Sequence, residues 1–162
     1  MYLIDRVVLS EVSSILNPQT KRTLTGQKMA KLLSQNLKRL FEENHVDFAF
    51  LGGSWANDKQ NWWSDIDVFV SFPKFLEFSS GTQLDFITLL HVKATDLTNF
   101  EEIEISILET LPLHVQFNVI ENGILLYEKN PEITHLFIEK MLPLYYDHII
   151  WYKTLLNQSK YI

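Results

Sequence analysis

The sequence predicts an α/β (α+β) fold: a small mixed sheet of about four strands, flanked by helices and followed by a C-terminal helix. Three features carry that expectation. Four short runs, at Val46–Leu51, Ile66–Val70, Ile103–Leu108 and Ile124–Tyr127, are continuously apolar or alternate with period two. Longer segments around them repeat apolar residues every three or four positions. Breakers stand at the joints: Asn17-Pro18, Gly52-Gly53, Ser79-Ser80-Gly81, Gly123 and Asn130-Pro131.

Taken in order, Leu3, Ile4, Val7, Val8, Val12, Ile15 and Leu16 have helical spacing before Asn17-Pro18. A second helix begins near Thr25, with Met29, Leu32, Leu33, Leu37, Leu40 and Phe41 on its apolar face. Lys28, Lys31, Lys38 and Arg39 face solvent, and Asn44-His45 ends the helix. A strand then runs from Val46 to Leu51, and a short helix is expected after Ser54. In the next strand Ile66, Val68 and Val70 alternate with Asp65, Asp67 and Phe69. Pro73 and Ser79-Ser80-Gly81 bracket an irregular segment. Leu84–Phe100 reads as a helix, "IEISIL" as a strand, and Pro112–Asn122 as a helix closed by Gly123. A short strand and a helix from Glu132 to about Gln158 complete the chain, with Pro143 a site for a kink.

At 162 residues and 46% hydrophobic, the chain suits one globular domain. Fourteen Lys and Arg against 20 Asp and Glu give a net charge of −6, which argues against general nucleic acid binding. The absence of cysteine excludes disulfides, zinc–thiolate sites and thiol nucleophiles. No apolar run is long enough to span a bilayer, and Met1–Arg22 does not read as a signal peptide, so a cytoplasmic protein is expected. The histidines His45, His91, His114, His135 and His148 lack paired metal-ligand spacing and read as structural or surface residues.

The chemistry concentrates in "GGSWANDKQNWWSDIDVFV", Gly52–Val70. Asp65 and Asp67 stand at i and i+2, so on a strand they share a face, roughly 7 Å apart. Ionised carboxylates on a strand need a cation or a shared proton. Such a pair suits magnesium, which takes a few carboxylates together with phosphate oxygens. Two such ions activate an attacking oxygen and stabilise a leaving pyrophosphate. Gly53 lets backbone approach a phosphate, and a helix starting after Ser54 would aim N–H groups and its positive end there. The Ser54 hydroxyl adds a donor. A third carboxylate is needed to complete the ligand set. Glu104, inside the "EEIEISIL" strand, suits this better than Glu102 at its edge, and a glutamate there can also act as general base.

These residues resemble the minimal nucleotidyltransferase (MNT) group of the DNA polymerase beta-like nucleotidyltransferase superfamily. That group forms the antitoxin half of HEPN/MNT toxin–antitoxin pairs. Gly53-Ser54, ten residues from Trp55 to Ser64, and Asp65-Ile66-Asp67 fit the group's Gly-Ser…Asp-x-Asp spacing. "IEISIL" and "PLHVQFNVIENGILLYE" resemble its third-carboxylate strand and the helix and strand that follow, and the resemblance spans roughly Met29–Glu128. It implies an N-terminal extension over 1–24, a nucleotidyltransferase core over 25–130 and a C-terminal helical segment over 131–162.

The resemblance also implies ATP as substrate, with Mg²⁺, two ions, as cofactor. The catalytic and metal-binding residues would be Asp65, Asp67 and Glu104; Gly53, Ser54, Ser64 and Lys59 would contact the nucleotide phosphates. AMP would pass to a tyrosine of a helical HEPN ribonuclease toxin, with no nucleic acid or membrane partner. The chain departs from the group in three ways. Trp55 and Asn57-Asp58 hold the places of the family's arginines, and Lys59 offers an amine rather than a guanidinium fork. Glu104 stands where aspartate is usual. Trp62 and Trp63 are unusual in the loop and suit loop packing, partner contact or base stacking.

Two other functions remain open. One is a degenerate domain that neutralises a toxin by contact alone; the other is transfer to a small-molecule hydroxyl, as in antibiotic-resistance enzymes. "LPLYYDHIIWY", with Tyr145, Tyr146, Trp151 and Tyr152, reads as a helix with an apolar stripe or as a docking face for another chain, a homo-oligomer included.

Overall fold

A computed structural model describes residues 24–61 and 63–158. The helical spacing at Leu3–Leu16 and the reading of Trp62 lie outside the described residues.

Helix α1, Gly26–Glu43, begins where the Thr25 hydroxyl accepts the Lys28 N–H at 3.3 Å. Its whole expected apolar face, Met29 through Phe41, is buried. Asn44 ends it, and His45 turns the chain with φ +56°. Strand β1, Phe48–Leu51, starts two residues later than its apolar run, because the Val46 N–H still returns to the Phe41 carbonyl. A single helical turn α2, Gly53–Ala56, follows, then β2, Ile66–Ser71, and a 3₁₀ turn at Pro73–Glu77.

Helix α3, Ser80–Thr98, starts four residues before its apolar spacing, since Ser79 caps it by accepting the Thr82 N–H at 3.4 Å. Strand β3, Ile103–Ile107, leads through the 3₁₀ turn Leu108–Thr110 to α4, Leu113–Asn122. Pro112 is the N-cap of α4 rather than part of its first turn. Gly123 closes α4 with an ordinary φ of −73°, so the glycine is required by space: a Cβ would overlap the Val119 carbonyl. Strand β4, Ile124–Glu128, and helix α5, Pro131–Gln158, complete the order, and α5 runs unbroken through Pro143.

The sheet order is β3-β2-β1-β4, with β2–β3 parallel and the other pairs antiparallel. It is therefore mixed, as expected. On one face Ala49, Leu51, Ile66, Val68, Val70, Ile103, Ile105 and Ile107 pack with α1 and α3 in the main core. On the other face Phe48 and Phe50 of β1 meet Leu108 and Val119, with Phe69 and Phe137 beside them. His91 is structural: its Nε2 accepts the Ile105 N–H at 2.6 Å on the outer edge of β3. No described helix is long and apolar enough to cross a membrane.

Leu37, fully buried between α1 and the sheet, should be costly to truncate. Leu37→Ala is expected to lose about 2–5 kcal/mol in urea unfolding, while Lys31→Ala on the exposed face should stay within about 0.5 kcal/mol of wild type.

Candidate functional site

The site begins where β1 ends. The Gly52 N–H donates to the Asp67 carbonyl at 2.9 Å and so ties the glycine pair to β2. Each glycine then meets a different side chain of β2. A Cβ on Gly52 would overlap the Phe69 ring, and one on Gly53 would overlap Asp67 Oδ2. Gly53 also has φ +60°, which L side chains rarely adopt. The Asp67 carboxylate thus lies against bare backbone at the head of α2.

Asp67 and Phe69 project from β2 opposite Ile66, Val68 and Val70, which are fully buried. The parallel ladder sets Asp67 directly beside Glu104 of β3, so both face the same way. Asp65 precedes β2 rather than lying on it, and both Asp65 and Glu104 are exposed. Burial pushes the Asp67 carboxyl above its ordinary value of 3.8, and repulsion from Glu104 and Asp65 pushes it further. Asp67 therefore feels both of the other carboxylates.

Among the described residues, no three His, Cys, Asp or Glu side chains already form a cluster able to hold a metal ion. What the site offers is one part-buried carboxylate destabilised by two others, all hard oxygen donors. That suits a magnesium ion shared with phosphate oxygens better than one held in an all-protein cage.

The loop after Gly53 is built differently from the expectation. Helix α2 starts at Gly53, two residues early, and spans four residues. A single turn sums few peptide dipoles, so local N–H groups, not a macrodipole, would meet an anion here. Ser54 is part-buried on that turn.

Trp55, in a family arginine position, is fully buried in the main core, and its Nε1 has no hydrogen-bond partner. Asn57 Nδ2 donates to the Gly53 carbonyl at 3.0 Å. Asp58, at φ +51°, accepts the Gly26 N–H at 2.7 Å and fastens the loop to the start of α1. Gln60 Nε2 donates to the Leu24 carbonyl at 2.9 Å. The residues replacing the arginines are thus structural anchors, a role the sequence reading missed. The Asn57-Asp58 pair was the available signal, because both types tolerate left-handed turns.

Lys59 is exposed, and its N–H donates to the Ser54 carbonyl at 2.9 Å. The Ser64 hydroxyl is engaged within the loop: it accepts the Asn61 N–H and donates to Asn61 Oδ1, each at 2.9 Å. Trp63 is 62% exposed in the same loop. A cleft of about 610 Å³ at the opposite end of the sheet, lined by residues including Ser34, Lys38, His45, Tyr127 and Lys129, contains none of these site residues.

Residues 35–132 match the family model described as Polymerase beta, Nucleotidyltransferase. No curated protein matches the sequence. Similar solved structures include a toxin–antitoxin crystal structure with AMP-PNP, at 17% identity and TM-score 0.61, covering 78% of this chain and 98% of that one. A chain from the tri-AMPylated Shewanella oneidensis HEPN toxin in complex with MNT antitoxin aligns at 16% identity and TM-score 0.58, covering 81% and 98%. One from the MntA-HepT toxin–antitoxin gives 16%, 0.56, 80% and 97%. At these identities the likeness shows the fold.

Two outcomes test this geometry. Because burial and its acidic neighbours raise the Asp67 carboxyl above 3.8, ionising it costs the folded chain stability as pH rises; below 3.8 folded and unfolded chains both hold the proton and the cost disappears. Asp67→Asn should therefore melt higher than wild type at neutral pH, with the gain shrinking as pH falls; an unchanged or lower melting temperature would contradict the crowding. Asp58→Ala should cost about 1 kcal/mol and speed hydrogen exchange across Gly53–Lys59, with Asp58→Asn recovering part of the protection.

Proposed function

The chain belongs to the Polymerase beta nucleotidyltransferase family, and from that premise we propose that it is an antitoxin-type enzyme transferring AMP from ATP to a tyrosine hydroxyl of a HEPN-type toxin. The observation that carries the reading is the Asp67 carboxylate, set against the backbone of Gly53 and paired in register with Glu104. The neighbours add support at the level of partner and nucleotide: one structure holds AMP-PNP, and another pairs an MNT antitoxin with an AMPylated HEPN toxin.

In this reading Asp67 and Asp65 hold magnesium, with Glu104 completing the set. Bound magnesium supplies charge neutralisation for the triphosphate and the departing pyrophosphate. The Gly53 and Ser54 N–H groups and the Ser54 hydroxyl orient the phosphates, with the Lys59 ammonium within the same loop. Ser64 shapes that loop through Asn61. The acceptor oxygen attacks the α-phosphorus, the bond to the bridging oxygen breaks, and pyrophosphate leaves. The hydroxyl proton passes to the Glu104 carboxylate, which is exposed and therefore reachable by an acceptor on another protein.

A second reading has one observation in its favour. Trp55 and Asp58 are committed to packing and to α1, so the loop binds phosphate without the family's arginines. A domain of that kind could neutralise its toxin by contact alone. Transfer to a small molecule is disfavoured, because one helix, α5, is all that the described residues after β4 provide for holding such a substrate.

The test is incubation of the purified chain with a HEPN-type partner, magnesium and ATP labelled on the α-phosphate. Label should appear on a partner tyrosine and fall at least a hundredfold with Asp67→Ala. Wild type that transfers no label yet binds the partner, with Asp67→Ala binding equally well, would establish the contact-only reading instead.

A further inference from the structure

The third carboxylate of the site stands on an outer strand. Among the described residues β3 pairs with β2 on one side only. Glu104 is exposed at its middle, between Ile103 and Ile105, whose side chains are buried. Burial of the isoleucines fixes which face Glu104 takes. It does not fix the tilt of the peptide joining Glu104 to Ile105. That tilt turns with the ψ of Glu104 and so helps to aim its carboxylate.

The peptide is gripped from both sides. The Glu102 carbonyl accepts the Ile66 N–H of β2 at 2.9 Å. With period two, the Glu104 carbonyl also points at β2. The N–H across the same trans peptide, that of Ile105, therefore points outward. His91 of α3 meets it there, its Nε2 accepting the N–H at 2.6 Å. A backbone amide can only donate, so Nε2 is unprotonated and the ring proton sits on Nδ1. The Ile105 carbonyl, 3.2 Å from the same nitrogen, is the longer contact. Leu90 and Ala94, both fully buried, seat this part of α3 on the core. The acceptor is thus presented by a firmly packed helix.

We propose that His91 is a positioning residue of the nucleotide site: by holding the outward N–H of the Glu104–Ile105 peptide, it keeps the Glu104 carboxylate turned toward Asp67, its partner in register. The two can then share one metal-bound triphosphate. The inference rests on the proposed role of Glu104 in completing the metal set. Without the acceptor the peptide would keep its ladder bond alone, and Glu104 would spend less time within reach of a cation at Asp67. His91 touches neither metal nor nucleotide in this scheme; it acts through Glu104, as outer-shell partners act through metal ligands.

Mn²⁺ binding in the presence of ATP, followed by electron paramagnetic resonance of the free ion, tests this without any acceptor protein. His91→Met and His91→Gln have similar reach and both suit a helix, but only the amide of Gln offers an oxygen to the Ile105 N–H. His91→Met should weaken Mn²⁺ binding about tenfold, and His91→Gln should bind close to wild type. Glu104→Gln should itself weaken binding, and adding His91→Met to it should cost little more, because both changes act through one group. In wild type, NMR should show a coupling between the Ile105 amide nitrogen and His91 Nε2 across the hydrogen bond. Absence of that coupling would overturn the proposal whatever the variants do. So would His91→Met binding that matches wild type, even with a lower melting temperature, since the histidine would then be structural only. A loss just as large on top of Glu104→Gln would also overturn it. Wild type that binds no Mn²⁺ with ATP would bring down the metal-site reading and this inference together, whereas binding unaffected by His91→Met would bring down this inference alone.

Discussion

One contact organises the molecule: the Asp67 carboxylate pressed against the Cα of Gly53. Ionising a group half-hidden beside backbone, with Glu104 across the ladder and Asp65 just ahead of the strand, is unfavourable. The hydrophobic core on the far side of β2 holds it there. Ile66, Val68 and Val70 are fully buried and leave the strand no freedom to rotate its acidic face away. The core supplies the stability, and the site uses part of it to keep like charges close. A cation and a triphosphate would relieve that repulsion, and this differential is what binding can draw on.

The loop between β1 and β2 meets a second constraint. It must hold Gly53 at positive φ with no guanidinium to organise it. It does so from beneath, by burying Trp55 in the core, and from the side, by giving the Asp58 carboxylate to the first turn of α1. Residues that depart from the family pattern are thereby converted from ligand contacts into scaffold. In the proposed reading, phosphate recognition would fall to backbone N–H groups, Ser54 and Lys59, which fits either a weaker nucleotide site or a partner that contributes charge.

The sequence was informative wherever a side-chain period reports directly on burial. The four strands and the apolar face of α1 followed from that, whereas Asp65, expected on the second strand beside Asp67, stands just ahead of it. The Asp67–Glu104 pairing was legible because both strands alternate, so strand-interior acids had to share the uncovered face. Starts and ends were less legible, because caps override periodicity: Ser79 starts α3 four residues before its first apolar position, and a returning N–H delays β1. The roles of Asp58 and Ser64 were hidden for another reason. Each depends on one hydrogen bond geometry, either across 32 positions or within a tight turn, and residue type alone does not encode that.

The most direct measurement is paramagnetic broadening by Mn²⁺–ATP, read on the amide resonances of the isotopically labelled chain. The account requires Gly53, Ser54, Asp67 and Glu104 to broaden first, before any residue of the cleft around His45 and Lys129. Broadening centred on that cleft, or spread evenly over the acidic surface, would mean that the carboxylates beside the glycine turn do not hold the metal nucleotide.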